Sequence, residues 1–262
     1  MGVQHYARVE DPVAAILSSI GRDHDITIDD LAPVDEFHLG GAAATAALVA
    51  DLDLRSGDRV LDIGCGIGGP ARRMASIAGC DVLGVDLTPS FVTTATALSE
   101  LTGLGDRTEF AVGDATRLEL DGSFDAATLV HVGMNIADKA GFFAAIADRL
   151  EPGCRFGVYD IMAIGDPAEL AYPMPFATSA DDAWVESPQT YPTALAAAGF
   201  TVSAPVDRTR LALDAAAAAA ASGPPPVSLA TLMGPDFGAM FANLGAAIRA
   251  GLVAPVQIVA TR

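Results

Sequence analysis

An α/β domain with a largely parallel sheet is the fold this sequence predicts, on three observations. Short apolar runs alternate with helical stretches between residues 59 and 160, as a parallel sheet with crossover helices requires. A glycine-dense turn, Gly64-Cys65-Gly66-Ile67-Gly68-Gly69, follows the first of these runs and opens a helix. Two late runs, 200–206 and 256–260, are joined by no simple right-handed helical crossover, which suits a sheet whose last strand is antiparallel.

The elements follow in order. The first fifty-odd residues read as helical and precede the sheet. Residues 59–63 are a short buried strand, 70–78 a helix, and 81–85 a second strand ending on Asp86. Pro89 sits in the first turn of the next helix, 89–101, where its missing N–H costs nothing. Residues 108–112 and 124–130 are the third and fourth strands. Asp138 opens an amphipathic helix that runs to 150, closed by Glu151-Pro152-Gly153, and 155–159 is a fifth strand. Residues 161–188, rich in Met, Pro, Phe and Trp without periodicity, read as an inserted cap. A helix over 189–198 ends at Gly199 and leads to the 200–206 strand. A second interruption, 208–251, holds an alanine run, a Gly-Pro-Pro-Pro break at 223–226 and a helix over 236–250. One domain over 1–262 is expected, with an N-terminal helical cap (1–55), a ligand-binding core (56–160) and lid insertions (161–188 and 208–251).

Composition narrows the class. A chain of 262 residues can bury one sizeable core. It is 51% hydrophobic and only 18% charged, but much of the apolar share is alanine, and no run reaches the ~20 residues a membrane helix needs. The N-terminus lacks a charged region followed by an apolar run, so no signal peptide is expected, and a soluble cytoplasmic protein follows. Three cysteines, Cys65, Cys80 and Cys154, are too few and too dispersed for a disulfide framework or a zinc site. A net charge of −18 repels phosphate backbones and anionic lipid, so neither nucleic acid nor membrane is an expected partner; a homodimer stays open.

The glycine turn fits G-x-G-x-x-G. Its glycines allow a tight turn and close ligand approach, and the helix that follows offers free N–H groups. Dinucleotide-binding proteins share this pattern, and they share an acidic residue at the end of the second strand, here Asp86. Two further features favour S-adenosylmethionine (SAM) over NAD. Asp62 lies just before the loop, where an anionic pyrophosphate would be repelled but an ammonium and a sulfonium attracted. Gly113-Asp114-Ala115 follows the third strand, where a carboxylate can accept from an adenine amino group.

Val60-Leu61-Asp62-Ile63-Gly64-Cys65-Gly66 resembles the first motif of class I SAM-dependent methyltransferases, with Asp86 and Gly113-Asp114 where the next motifs fall. Val34-Asp35-Glu36-Phe37-His38-Leu39-Gly40-Gly41 and Gly68-Gly69-Pro70-Ala71-Arg72 are similar to a small-molecule branch. That branch contains glycine/sarcosine N-methyltransferases, tocopherol methyltransferases and sugar O-methyltransferases. The resemblance implies a Rossmann-like seven-stranded sheet with its last strand antiparallel and a helical lid from the N-terminus and the insertions. It also implies SAM at the carboxyl ends of the strands, S-adenosylhomocysteine (SAH) as product, and no metal. Asp62 and the backbone around Gly64 and Gly66 would hold the cofactor's amino end, Asp86 with Leu87 the ribose, and Asp114 with Ala115 the adenine.

Methyl transfer asks the protein to hold an acceptor near an activated methyl, exclude water and manage one proton. His131, just past the fourth strand, is the candidate for positioning the acceptor or taking its proton, with packing against SAM as the plainer alternative. His38, Asn135, Tyr6 and Trp184 are candidate acceptor contacts, each with a structural alternative. The function expected is methylation of a small-molecule acceptor at nitrogen or oxygen. An NAD-dependent oxidoreductase and a non-catalytic SAM-binding protein are the rivals.

Overall fold

The computed structural model describes residues 9–21, 25–117 and 123–262. Three helices come first: α1 (Pro12–Ile20), α2 (Ile28–Asp35) and α3 (Gly41–Asp51). Asp11 caps α1, with Pro12 in its first turn, and Thr27 and Asp30 form a reciprocal capping box on α2. Strand and helix then alternate through β1 (Arg59–Ile63), α4 (Gly69–Ala78), β2 (Asp81–Asp86), α5 (Pro89–Leu101) and β3 (Thr108–Val112). β4 (Phe124–Val130), α6 (Lys139–Ala147) and β5 (Leu150–Ala163) continue the pattern. The remainder is α7 (Thr190–Ala197), β6 (Thr201–Val202), β7 (Val206–Asp207), α8 (Thr209–Ala221), α9 (Ala230–Met233), α10 (Phe237–Arg249) and β8 (Val253–Thr261).

The sheet runs β3-β2-β1-β4-β5-β8-β6, with β7 also on β8. The first five strands are mutually parallel, and β8 lies antiparallel between β5 and the two short strands. Strand order reverses between β1 and β4, so the loops after these two strands leave in opposite directions and open a crevice at their carboxyl ends. One apolar cluster covers each face of the sheet: Leu61, Leu129, Phe143 and Phe156 lie in one, and Val60, Met74, Ala126 and Tyr159 in the other. Among the described residues, no helix is long and apolar enough to cross a membrane.

Three expectations are corrected. The strand expected over 200–206 is split into β6 and β7, two short pieces that both pair with β8. Val202 pairs with Ala260 and Val206 with Gln257, so four steps on one side face three on the other, a bulge that contains Pro205. The helix expected to reach 150 stops at Ala147, and Glu151-Pro152-Gly153 belongs to the start of β5, where buried Leu150 pairs with Phe124. The inserted cap begins later than 161, because Ile161 and Met162 are buried and continue β5 against Pro255 and Ala254.

Candidate active site

The crevice is a cavity of about 770 Å³, walled by the carboxyl ends of the parallel strands, the 37–39 segment and parts of both insertions. Its floor is the glycine loop. Gly64 and Cys65 donate their N–H groups to Val85 O at 2.8 and 3.2 Å, which folds the loop over the end of β2. A Cβ on Gly64 would stand 2.3 Å from Val132 Cγ2, and its φ of +71° is one that side chains rarely adopt, so only glycine fits. Gly66 N–H donates to Asp86 Oδ2 at 3.0 Å, and Thr88 N–H to Asp86 Oδ1 at 2.9 Å. A carboxylate has about four acceptor sites, so Asp86 keeps lone pairs for a diol. Leu87, 56% exposed, lies beside it on the cavity rim.

Asp62 is the electrostatic centre of the floor. It is buried inside β1, and Thr128, its register partner on β4, donates to Oδ1 at 2.8 Å. Oδ2 is buried without a hydrogen-bond partner among the described residues. Burial pushes this carboxyl up to about 7, only partly offset by the Thr128 hydrogen bond and assisted by Glu36 and Asp86. Oδ2 therefore keeps its capacity to accept a hydrogen bond from a donor in the cavity.

At the far end of the crevice Asp114 Oδ1 accepts from the Thr116 N–H and hydroxyl at 2.9 and 2.6 Å, and the Thr116 hydroxyl chiefly lowers its pKa. Buried Ala115 and exposed Arg117, whose Nε lies 3.6 Å from Asp114 Oδ2, complete that end.

His131 follows β4, on the side of Asp62 away from Asp114 in the strand order. It stands in the left-handed region at φ +53°, and its N–H donates to Tyr159 O at 2.7 Å. The ring stacks on Tyr159 at 5.3 Å and meets His38 edge-on at 5.8 Å. Nε2 is buried with no partner among the described residues. Burial, then the neighbouring His38, holds its pKa well below the usual value, so the imidazole is neutral. His38 is likewise pushed down to about 4 by burial. Its Nε2 faces Gly41 O at 3.0 Å and Thr45 Oγ1 at 3.1 Å, and the Thr45 hydroxyl gives its own proton to Glu36 Oε2. Both neighbours therefore accept, which puts the proton on Nε2 and leaves Nδ1 a lone pair.

The upstream segment is bolted to the glycine loop. Arg72, fully buried on α4, donates to Asp35 Oδ2 at 2.8 Å and to Ile67 O at 2.7 Å, and Arg73 Nε reaches Glu36 at 3.3 Å. Gly69 permits this contact, since a Cβ there would lie 2.3 Å from Asp35 O. Desolvation nonetheless raises Asp35 to about 6 against the pull of Arg72.

Of the residues expected from sequence, Asp62, Gly64, Gly66, Asp86, Leu87, Asp114, Ala115, His131, His38 and Asn135 all line the cavity. Asn135 spends its Nδ2 on Phe176 O at 2.7 Å. Trp184 does not line it: its N–H is tied to Met134 O and its carbonyl to Lys139 Nζ, and the residue is 38% exposed. Tyr6 lies outside the described residues. Sequence reasoning missed Thr128 and the apolar wall of Ile161, Phe176, Leu229, Phe241 and Leu244. Thr128 matters through its register with Asp62, and the apolar residues look like any core.

Residues 60–153 match the family model described as a methyltransferase domain. A sterol 24-C-methyltransferase of Yarrowia lipolytica is 34% identical over 114 residues, 43% of this chain and 30% of that protein. The chain thus spans about a third of the length of such relatives. A geranyl diphosphate methyltransferase solved with SAM superposes with a TM-score of 0.66 at 21% identity, over 84% of this chain and 85% of that one. The [4+2]-cyclase SpnF does so at 0.65 and 23%, over 84% and 81%, so the fold by itself does not name a reaction. The family-model match takes in about a third of the chain, and beyond it the likeness to the solved structures is one of fold.

Proposed function

We propose that the protein transfers the methyl group of SAM to a small-molecule acceptor and releases SAH. The observation that carries this reading is the unpartnered, buried Oδ2 of Asp62 on the cavity floor. A pyrophosphate there would meet a carboxylate, whereas the amino group of a methionine moiety would complete its hydrogen bonding. When bound, SAM supplies an electrophilic methyl whose bond to sulfur breaks as its bond to the acceptor forms, leaving one acceptor proton to be removed. Asp86 offers its remaining lone pairs to the ribose hydroxyls, and Asp114 offers a carboxylate to the adenine amino group. The neutral His131 Nε2, buried beside the His38 ring, is the group available to orient the acceptor and take that proton. The described N-terminal helices, with residues 164–188 and 208–251, act as the lid that excludes water.

The charge of −18 fits a partner that is a small molecule and not nucleic acid, and three buried thiols fit a cytoplasmic location.

Calorimetry tests the reading. SAH is expected to bind and NAD to stay silent, and Asp62→Asn should weaken SAH by about tenfold or more, since a charge-assisted hydrogen bond contributes ~1.5–3 kcal/mol. NAD binding with SAH inert would overturn it. Release of SAH on incubation with SAM and a panel of phenols, alcohols, thiols and amines distinguishes an enzyme from a SAM-binding scaffold.

A further inference from the structure

The two ends of the cavity differ in chemistry. Asp62, Asp86 and Asp114 mark one end. At the other, Met134, Ile161, Phe176 and Leu244 share one buried cluster, Leu39 packs against it, and Phe241 of α10 adds to the same wall.

Polar groups that reach the apolar end are already committed. Tyr159 donates its hydroxyl to Leu39 O at 2.7 Å, Asn135 its amide to Phe176 O, and His38 Nε2 its proton to Gly41 O and Thr45. Asp35 is held by Arg72, and exposed Asp138 accepts from Gly141 N–H as the cap of α6. Among the described residues, Arg117 is the only lysine or arginine on the cavity wall, and it stands beside Asp114 at the nucleoside end. A phosphate, carboxylate or ammonium entering the apolar end would lose its hydration with no counter-charge opposite. A hydrocarbon surface entering there would gain from leaving water and would keep water from the histidines.

We infer that the acceptor is an uncharged, mainly apolar molecule seated between β5, the 173–177 turn and α10, with only its reacting group reaching His131. The turn is built as a wall: Asn243 on α10 donates to Pro173 O at 2.9 Å and Asn135 to Phe176 O, so the turn is held at both ends. The inference rests on the methyl-transfer reading for what the molecule becomes, and on the wall itself for where it binds.

The test uses SAH-loaded protein and Nile red, a neutral apolar fluorophore. A long-chain alcohol and an alkylphenol are expected to displace the dye, and ethanolamine and its phosphate to leave it in place. Phe241→Lys and Leu229→Lys, both at partly exposed wall positions, should weaken dye and alcohol binding about tenfold or more by placing an unpaired ammonium in the wall. Phe241→Leu should retain both, and calorimetric SAH affinity should stay within about twofold in the two Phe241 variants, since α10 contributes neither to the glycine loop nor to the strand ends that carry Asp62 and Asp86. Displacement by ethanolamine or its phosphate with the alcohols silent would overturn the inference, as would dye binding indifferent to Phe241→Lys. Dye binding that survives while SAH fails to bind would sink the methyl-transfer reading and leave the apolar site standing.

Discussion

The nucleoside end and the apolar end of the cavity are made in opposite ways. At the first, backbone N–H groups and three aspartates line the cavity, all supplied between Asp62 and Asp114 by the ends of three neighbouring parallel strands and the loops after them. At the second, apolar side chains arrive from segments scattered between Leu39 and Leu244, and two asparagine amides stitch the turn that carries Phe176. A polar end depends on position within a few tenths of an ångström, and short loops on a rigid sheet provide that. An apolar end depends on volume, which many side chains can supply. The contrast teaches where each end should fail when it is perturbed.

The largest effect should come from the bolt between the ends. Removing one member of a buried ion pair leaves its partner charged and unpaired, so Asp35→Ala should destabilise the fold by ~3–5 kcal/mol, read by urea unfolding. A loss below about 1 kcal/mol would mean that Arg72 is satisfied by Ala95 O, Ser99 and Ile67 O alone. His131 sits where the ends meet. His131→Ala should cut turnover by roughly a hundredfold, ~2.7 kcal/mol of barrier, with SAH affinity nearly intact. His131→Gln separates roles, since glutamine can orient an acceptor but cannot take its proton, and recovery of most activity would point to orientation. Affinity and turnover falling together in the alanine variant would mean that the ring only packs against the cofactor.

The smallest effect, and the most diagnostic of the polar end, is in pH. The Asp62 carboxyl lies at about 7, above its ordinary value, so folding favours its protonated form. Its contribution to stability is therefore present at low pH and is lost as pH rises through about 7. Ligand binding has the opposite sign, because only the ionised carboxylate pairs with an ammonium. SAH affinity of the wild type should rise roughly threefold between pH 6.5 and 7.5, and that of Asp62→Asn should not. Asp160, raised to a similar value by burial, shifts stability in the same direction as Asp62. Subtracting the variant's profile removes the Asp160 share; parallel profiles would rule Asp62 out as the cation's partner.

The same contrast explains what could be read from the sequence. Asp62, Asp86 and Asp114 are legible because each stands at a strand end that periodicity locates, and the chemistry of a ligand can be argued from the residue type. Thr128 escapes because its importance comes from register with Asp62, a non-local fact. Asp35 and Arg72 stand in separate motifs of the sequence, and nothing in either says that they touch. Phe241 and Leu244 are harder still, since an apolar residue on an amphipathic helix reads the same whether it faces a core or a cavity. Trp184 is misread for the converse reason. Aromatics in a cap suggest a pocket, but the backbone of Trp184 is tied to Met134 and Lys139, and the residue lies partly exposed off the cavity wall.

The backbone of His131 has one more consequence. A left-handed conformation costs a residue with a Cβ ~1–2 kcal/mol that glycine would avoid. A lineage selected for stability alone would drift toward glycine at this position, and the drift would relax the end of β4 while erasing the imidazole. On the proposed role of its imidazole, histidine there gives up stability for chemistry, so stability and turnover should trade against each other at residue 131 more sharply than at Asp86 or Asp114, whose backbones carry no such conformation.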